Sequence, residues 1–416
     1  MKKFFKETKN PSMDELVQWF YYNYPDLARD MSNTSHAAYP DRPNPFHLEG
    51  DVLTHTMMVC QNAKNLKKTN KIAALLHDIG KPLCKEVIDV IEGVKPENYY
   101  SKFPKLYNEY KEKHPLNEIT FMEYLDLNRK RFKTRFIGHE GVSVYLSIDI
   151  LKNLQKIGII TNEEIKEIIT IIGLHGELFN YIKDSKEYNS KKLIQKWKGI
   201  PDIFRDYIEQ VKCDSKGRFS INTDQRTNSG DLIGSELFGN KFFNALKDEH
   251  QKFMENKNEN LPTLTLMVGI PNSGKSTLVK EMKSKYIISR DSILVEYGKE
   301  KYNLDDYNEI WKTLSPKDQQ EIDRILQKQF MKAYKEKVNI VIDMTNTSKK
   351  SRKKWVNAAN GYYKKAIVCL TDYQEILHRN TNRENKIIPR SVIERMMKSF
   401  TIPLYDEIHE LEFIFQ

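Results

Sequence analysis

A phosphate-binding pattern begins at Gly269. Residues 269–277 read GIPNSGKST, which fits the spacing G-x-x-x-x-G-K-[ST] between a strand-like apolar run and a helical run. The glycines let backbone N–H groups turn toward phosphates. Lys275 can bridge the β- and γ-phosphates, and Ser276 can ligate Mg²⁺. The sequence therefore predicts an ATP and Mg²⁺ site formed by Gly269, Asn272, Ser273, Gly274, Lys275, Ser276 and Thr277.

Acidic residues follow two further apolar runs in this part of the chain. The run YIIS leads into Arg290 and Asp291, and the run NIVIDM contains Asp343. Right-handed crossovers place the carboxyl ends of parallel strands at one edge of a sheet, so Asp291 is expected beside the γ-phosphate. There it can accept the proton of an attacking hydroxyl, and Asp343 can hold Mg²⁺ through water or orient the acceptor. Either residue can instead cap a helix, and position alone leaves both interpretations of Asp291 open.

Arginines beyond these aspartates are candidates for phosphate contacts. Arg379 and Arg383 are four residues apart, so they share one face of a predicted helix. Together they can form a lid over ATP phosphates and stabilise transition-state charge, although surface arginines at this spacing are commoner. Arg352 lies in the cluster KKSRKK, which is either a solvated face or a contact for acceptor phosphates.

Imidazole and carboxylate side chains recur in the first part of the chain, at helix ends or in glycine-flanked turns. The candidate metal ligands are His55, His77, Asp78, His139, His175 and Asp214. Such a mixed set suits Mn, Fe, Co, Ni or Zn and does not choose among them. A lone histidine is more often structural, and His36 and His47 are interpreted in that way. Lys81 can bind a substrate phosphate or simply lie at the surface.

The two kinds of site belong to two kinds of architecture. Before residue 257 the apolar residues follow helical periodicity, which predicts an all-α domain over 1–257. Beyond it, the strand-like runs TLTLMV, YIIS, NIVIDM and AIVCL alternate with helical runs, which predicts an α/β domain with a parallel sheet over 261–416. The boundary is placed in a polar run near residues 255–261.

Composition limits the possible classes of protein. The chain has 416 residues and a net charge of +10. Residues 261–416 hold 27 Lys and Arg against 20 Asp and Glu, a net +7, which suits a polyanionic partner. No run is long enough for a membrane span, and no secretory signal is recognisable. Four widely spaced cysteines argue against a disulfide framework, so a cytoplasmic location is expected.

The second part resembles the polynucleotide 5′-kinase family of the phage end-repair type. The resemblance is carried by GIPNSGKST, SRD, DMTN and the run RNTNR-ENKIIP-RSVIERMMKS. It implies that Asp291 is the general base for a polynucleotide 5′-hydroxyl and that Arg379 and Arg383 grip the nucleotide. The family usually has an arginine three residues after the base, where this chain has Leu294. Arg290 or Arg352 would then have to contact the acceptor.

The first part resembles the HD-domain phosphohydrolases, and most closely the HD domains of bacterial tRNA nucleotidyltransferases. The resemblance is carried by GDVLTHT, AALLHDIGKP, GHEG and CDSKGR, with an insert at about 85–136 of unknown role. It implies one metal on His55, His77, Asp78 and Asp214. It also implies a second metal on His139 and His175, with Asp78 bridging the two.

These resemblances together suggest a two-domain enzyme that heals nucleic acid ends. The kinase would phosphorylate 5′-hydroxyl ends with ATP and Mg²⁺, and the HD domain would remove 2′,3′-cyclic phosphate and 3′-phosphate. RNA is favoured over DNA as substrate because a cyclic phosphate needs a 2′-hydroxyl, and a separate ligase would act next. The alternative is an HD nucleotide phosphohydrolase fused to a kinase of nucleosides or small alcohols. A non-catalytic nucleic-acid-binding protein is the third hypothesis.

Overall fold

A computed structural model of the chain describes residues 4–6, 9–178, 190–220, 238–256, 260–282, 286–383 and 386–416. Helices before residue 257 span Met13–Asn23 (α1), Pro25–Ser32 (α2), Val52–Ala63 (α3), Lys68–Leu76 (α4), Lys81–Cys84 (α5), Tyr99–Lys102 (α6), Pro104–Lys113 (α7), Phe121–Leu127 (α8), His139–Lys156 (α9), Asn162–Leu174 (α10), Ser190–Trp197 (α11), Pro201–Lys216 (α12) and Asn240–Glu255 (α13), with a 3₁₀ turn at Pro96–Asn98. Part of the predicted domain boundary, 257–259, lies outside the described residues.

The remaining elements form the second part of the chain. Its helices span Lys275–Glu281 (α14), Arg290–Tyr302 (α15), Tyr307–Thr313 (α16), Pro316–Lys335 (α17), Lys349–Ala358 (α18), Tyr373–Thr381 (α19) and Arg390–Lys398 (α20). The strands of the whole chain span Glu86–Asp89 (β1), Phe132–Arg135 (β2), Thr263–Val268 (β3), Tyr286–Ile288 (β4), Ile340–Ile342 (β5), Tyr363–Leu370 (β6) and Glu410–Phe415 (β7). Among the described residues, we find no helix with the length and apolar character of a membrane span.

The first part is predominantly helical, and its helices pack around a shared apolar core. Both α1 and α10 begin with a capping box, in which Ser12 and Thr161 exchange hydrogen bonds with the glutamate three residues later. Helices α3, α4, α10 and α12 contact one another, with α9 packed against α10. The ends of these helices are therefore brought close together, and they carry the histidines and aspartates predicted to bind metal.

A separate small unit projects from this helical part between β1 and β2. The two strands pair antiparallel, from Glu86 opposite Arg135 to Asp89 opposite Phe132. Helices α6 to α8 pack on their own aromatic core, which includes Tyr124. The ribbon corrects the all-α prediction for the first part. It also brings the two ends of the insert together, so the helices on either side of it can pack without interruption.

The second part contains a five-stranded sheet in the order β4-β5-β3-β6-β7, with every pair parallel. The predicted α/β domain with a parallel sheet is therefore confirmed. The phosphate-binding loop follows the central strand β3, and the neighbouring strands β5 and β4 end at the same edge. Strand β7 was not among the predicted strands. It lies at the sheet edge and begins with Glu-Leu-Glu, so its continuous apolar run is limited to the last three residues, Phe-Ile-Phe.

Helix α9 joins the two parts of the chain. Its first turns pack on α20 so closely that a Cβ atom on Gly141 would lie 2.3 Å from the carbonyl oxygen of Met397. In its middle, the buried Tyr145 hydroxyl accepts a hydrogen bond from the N–H of Ile270, within the phosphate-binding loop, at 3.2 Å. Apolar residues from both parts belong to one continuous core.

The close approach of α9 and α20 predicts a large effect of a small substitution. Gly141→Ala adds a methyl group where the Met397 carbonyl leaves no space, so we expect a loss of roughly 1–3 kcal/mol of stability. Thermal unfolding of the purified protein measures this loss. Lys156→Ala, on the exposed end of the same helix, is the control and should leave the midpoint unchanged. An equally stable Gly141→Ala protein would contradict the packing described.

Candidate active sites

Five helix ends and turns bring the predicted metal ligands of the first part together. The side chains that converge are His55 on α3, His77 and Asp78 after α4, His139 at the start of α9, His175 after α10 and Asp214 on α12. Five of the six are buried, and His139 is partly buried. All six residues come from the sequence prediction.

The four histidines are held in the same way. In each, Nδ1 lies within hydrogen-bonding distance of a backbone carbonyl oxygen, namely that of Gly217 for His55 (2.9 Å), Ala74 for His77 (2.8 Å), Phe136 for His139 (2.7 Å) and Ile172 for His175 (2.7 Å). A neutral ring that donates from Nδ1 has its lone pair on Nε2. Every Nε2 is therefore oriented toward the cluster as a ligand atom. At metal sites, a carbonyl partner on the other ring nitrogen orients histidine ligands in the same way.

Asp78 lies between two groups of ligands. Its Oδ2 is 3.2 Å from Nε2 of His77 and 3.6 Å from Nε2 of His55, which is itself 3.1 Å from Oδ1 of Asp214. Its Oδ1 is 3.3 Å from Nε2 of His139. The ligand atoms of each group lie within 4.8 Å of one another. The carboxylate can therefore bridge two ions.

Two buried atoms of this cluster lack a partner that a metal would supply. They are Nε2 of His77 and Oδ1 of Asp78, which have no hydrogen bond in the described structure, whereas Oδ2 of Asp78 is paired with the Lys81 ammonium. Burial would raise the pKa of Asp78, but its contacts with the His77 ring and the Lys81 ammonium hold that pKa well below its usual range. Burial also lowers the pKa of His77, which keeps that ring neutral. A carboxylate beside imidazole nitrogens is a donor set for a divalent transition metal.

One wall of this cluster is cationic and histidine-rich. The Lys81 ammonium lies 2.6 Å from Oδ2 of Asp78 and 3.3 Å from Nε2 of His36. His36 stacks on His47, with ring centroids 4.2 Å apart. The sequence interpretation of these two histidines as structural did not anticipate that they line this wall. It also missed Glu49, whose buried carboxylate contacts Nδ1 of His47 at 2.7 Å.

The second candidate site is a pocket of about 920 Å³ at the carboxyl edge of the parallel sheet. The phosphate-binding loop forms its floor. At Gly269 the backbone N–H donates to Thr345 across the sheet edge, and a Cβ atom would lie 2.6 Å from the carbonyl oxygen of Cys369. Only glycine therefore fits the start of the loop, which explains the first glycine of the pattern.

Lys275 and Ser276 lie where the motif predicts. The buried Lys275 ammonium donates to the carbonyl oxygen of Ile270 at 2.8 Å, and burial lowers its pKa to about 8. The Ser276 hydroxyl donates to Oδ2 of Asp343 at 2.9 Å. The hydroxyl and the carboxylate are thus adjacent, as two oxygen ligands of Mg²⁺ must be.

Asp291 faces the same pocket, where two residues that the sequence prediction missed contact it. The Tyr307 hydroxyl donates to its Oδ1 at 2.9 Å, and the Lys386 ammonium donates to its Oδ2 at 2.5 Å. Burial would raise the pKa of Asp291, but these contacts lower it below the usual value. The carboxylate is therefore ionised and ready to accept a proton. Lys386 lies 95 residues from Asp291 in the sequence, so no local pattern predicted this contact.

Both predicted lid arginines reach the phosphate-binding loop. Arg379 donates to the carbonyl oxygen of Asn272 at 3.2 Å, and Arg383 donates to the side-chain oxygen of Asn272 at the same distance. Both line the pocket. Helix α19 carries Arg379 near its end, but it ends at Thr381, so Arg383 lies beyond it and the two arginines do not share one helix face as predicted.

The candidate acceptor contacts differ in position. Arg290 lines the pocket and is held by Asp323 at 3.1 Å. Arg352 is completely buried, and its guanidinium is paired with Glu407 and several backbone carbonyls. The structure therefore gives Arg352 a structural role in place of the predicted phosphate contact. Leu294 is also completely buried, so no side chain at that position faces an acceptor.

Comparison with known proteins finds a family match in the second part of the chain, which contains the second site. Residues 264–403 match a family model described as an AAA domain. A protein of Autographa californica nuclear polyhedrosis virus, named as a bifunctional polynucleotide kinase/RNA ligase, is 30% identical over 144 residues. That match covers 33% of this chain and 20% of the viral protein.

Two solved structures also share similarity with about a third of the chain. One is described as the structure of the Pnkp1/Rnl/Hen1 RNA repair complex, with 24% identity, 35% of this chain and 46% of that chain covered, and a TM-score of 0.29. The other is described as the structure of the Pnkp1/Rnl/Hen1 complex, with 21% identity, 32% and 44% covered, and a TM-score of 0.24. TM-scores this low do not establish a shared overall fold.

The bridging position of Asp78 predicts the stoichiometry of metal binding. We expect two Mn²⁺ ions per chain, and Asp78→Asn should weaken both by more than about 10-fold, whereas His139→Ala should weaken one. Equilibrium dialysis followed by elemental analysis measures the stoichiometry. His114→Ala, in the insert, is the control. Two tightly held ions in the Asp78→Asn protein would show that this carboxylate is not a bridge.

The Lys386 contact predicts the titration of Asp291. Lys386→Met removes a cation that lowers the pKa of this carboxyl, so the pKa should rise and, as the pH falls, the carboxylate should take up its proton at a higher pH than in the unmodified protein. A ¹³C NMR titration of labelled aspartates measures it, with Asp291→Asn identifying the signal. Lys386→Arg keeps the charge and should keep the low pKa. An unchanged pKa in Lys386→Met would assign the shift to another group.

Proposed function

We propose that the chain heals nucleic acid ends, with a kinase in the second part and an HD-type phosphohydrolase in the first. The pocket that gathers Lys275, Asp291, Asp343 and the two lid arginines carries the proposal. The 30% identity to a protein named as a polynucleotide kinase/RNA ligase supports a polynucleotide 5′-hydroxyl as acceptor. That match spans only a fifth of the viral protein, so the substrate assignment depends on the pocket.

In the kinase step, each group of the pocket acts on one part of the reaction. ATP phosphates would lie in the loop, with Lys275 donating to them. Ser276 and Asp343 would hold Mg²⁺, which neutralises phosphate charge when bound. Asp291 would accept the proton of the 5′-hydroxyl as that oxygen attacks the γ-phosphorus, the bond from the γ-phosphorus to the bridging oxygen breaks and ADP leaves. Arg379 and Arg383 would stabilise the charge that develops on the transferred phosphoryl group.

In the hydrolytic step, the histidine and aspartate cluster would hold two divalent metal ions. Bound metals of this kind lower the pKa of a water and polarise a phosphate. Lys81 would donate to an oxygen of the substrate phosphate. Its ammonium lies at the proposed metal cluster, next to Asp78, where that phosphate would bind. The observation that supports metal binding is that Nε2 of His77 and Oδ1 of Asp78 are buried without a hydrogen-bond partner among the described residues.

The two steps produce the ends that a ligase needs. Cleavage that leaves a 2′,3′-cyclic phosphate and a 5′-hydroxyl is characteristic of RNA, because the ring requires a 2′-hydroxyl. Removal of the cyclic phosphate and phosphorylation of the 5′ end would leave a 3′-hydroxyl and a 5′-phosphate. RNA is therefore the proposed substrate, and a separate nucleic acid ligase is the proposed next enzyme.

A second candidate keeps both sites but changes their substrates to small molecules. The HD site would hydrolyse nucleotides, and the kinase would act on a nucleoside or another small alcohol. The buried Leu294, where polynucleotide kinases usually have an acceptor-binding arginine, favours this alternative. The basic residues that line the pocket, Arg290, Lys312, Lys386 and Arg395, favour a polynucleotide instead.

Product analysis on one RNA tests the proposed function. An oligoribonucleotide with a 5′-hydroxyl and a 2′,3′-cyclic phosphate should gain a labelled 5′-phosphate from ATP and lose the cyclic phosphate in the presence of Mn²⁺. Asp78→Ala should abolish hydrolysis and spare phosphorylation. Lys275→Ala should do the reverse, with phosphorylation reduced by roughly 10²-fold or more. Absence of label transfer to any RNA or DNA would contradict the kinase assignment.

Acceptor length separates the two candidate functions. A 20-residue oligonucleotide and a nucleoside 3′-monophosphate are compared as phosphate acceptors at equal ATP. The polynucleotide proposal predicts a kcat/KM at least about 10-fold higher for the oligonucleotide, because only it reaches the basic rim. Equal values would favour the small-molecule kinase.

A further inference from the structure

Two parallel aromatic rings line the kinase pocket and have no part in the mechanism above. Tyr307 and Trp311 lie one turn apart on α16, with ring planes 7° apart and centroids separated by 6.4 Å. Both rings line the pocket that contains Asp291. They form a pair of rings in which Tyr307 is the inner ring, beside Asp291, and Trp311 is the outer, more exposed ring.

The helix that carries the pair of rings, α16, is held firmly in place although the outer ring is exposed. Trp311 is 49% exposed, so its ring is accessible to a ligand in the pocket. Its helix is fixed by Asp306, which caps the amino terminus, and by Ile310, which is completely buried against Gly298. The exposed ring is thus presented by a packed helix.

The inner ring is connected to the proposed base. The Tyr307 hydroxyl donates to Asp291, and the Lys386 ammonium lies 4.0 Å from the centroid of the Tyr307 ring. The pair of rings therefore lies next to Asp291, the carboxylate that would receive the proton of the acceptor hydroxyl. By contrast, the lid arginines that would hold ATP contact Asn272, in the phosphate-binding loop.

Cations flank the outer ring. The Arg290 guanidinium lies 5.8 Å from the centroid of the Trp311 ring and is fixed by its ion pair with Asp323. Lys312, the next residue on the helix, also lines the pocket. An exposed ring between cations matches a nucleotide, because its base offers an apolar face and its phosphodiester offers negative charge.

We infer that Trp311 is the stacking platform for the 5′-terminal nucleobase of the acceptor strand. This inference rests on the proposed function and specifies its acceptor subsite. Every nucleobase has a π-face, so stacking would position the 5′-hydroxyl near Asp291 without selecting a sequence. It would also supply the acceptor binding that the buried Leu294 cannot.

A comparison of intact and abasic acceptors tests the inference. Two otherwise identical 5′-hydroxyl oligonucleotides are used, one of which lacks the base of its 5′-terminal nucleotide. The unmodified protein should show a KM roughly 10- to 100-fold higher for the abasic strand. Trp311→Ala should raise the KM for the intact strand to that of the abasic one. Its KM for ATP should not change, and Trp311→Phe should restore most of the preference.

Met331→Ala, an exposed apolar residue on α17 outside the pocket, is the matched control and should keep the full preference. Equal KM values of the unmodified protein for intact and abasic strands would overturn the inference while leaving the kinase assignment intact. A raised KM for ATP in Trp311→Ala would also overturn it, because the ring would then serve the donor. Failure of the unmodified protein to phosphorylate any oligonucleotide would overturn the proposed function itself.

Discussion

The packing of helix α9 between two sites is the constraint on which the rest of the structure depends. Its first residue, His139, faces the metal cluster, and Gly141 allows α20 to lie directly against the next turn. Two turns from its start, Tyr145 supports the phosphate-binding loop through the N–H of Ile270. One helix thus sets the position of a metal ligand and of the phosphate cradle, so the two sites belong to one folded unit.

Both sites use a carboxylate whose charge is stabilised by a neighbouring lysine. Asp78 is paired with Lys81 and Asp291 with Lys386, and in each case the pKa of the carboxyl lies below its usual value. Asp78 is buried, where an unpaired carboxylate would take up a proton, whereas the Asp291 side chain is 59% exposed at the pocket. The lysines therefore preserve the negative charge that the proposed metal binding at Asp78 and the proposed proton transfer at Asp291 would require.

The sequence predicted the structural features that depend on the spacing of nearby residues. The phosphate-binding loop and the parallel sheet were predictable because glycine spacing and apolar runs reflect the local backbone. Lys386 and Tyr307 were not, because each reaches Asp291 from another loop or helix. The burial of Arg352 was equally hidden, since a lysine-rich cluster is normally solvated and only the position of Glu407 reverses that. Strand β7 escaped prediction because pairing with β6, more than its own apolar content, makes it a strand.

Calorimetric unfolding tests most directly whether the two sites share one folded unit. The protein is heated alone, with Mn²⁺ and with a non-hydrolysable ATP analogue plus Mg²⁺. A ligand that binds only the folded state raises the unfolding temperature of whatever unit contains its site. The packing around α9 predicts a single transition whose midpoint each ligand raises. Two transitions, one responding only to Mn²⁺ and the other only to the nucleotide, would contradict it.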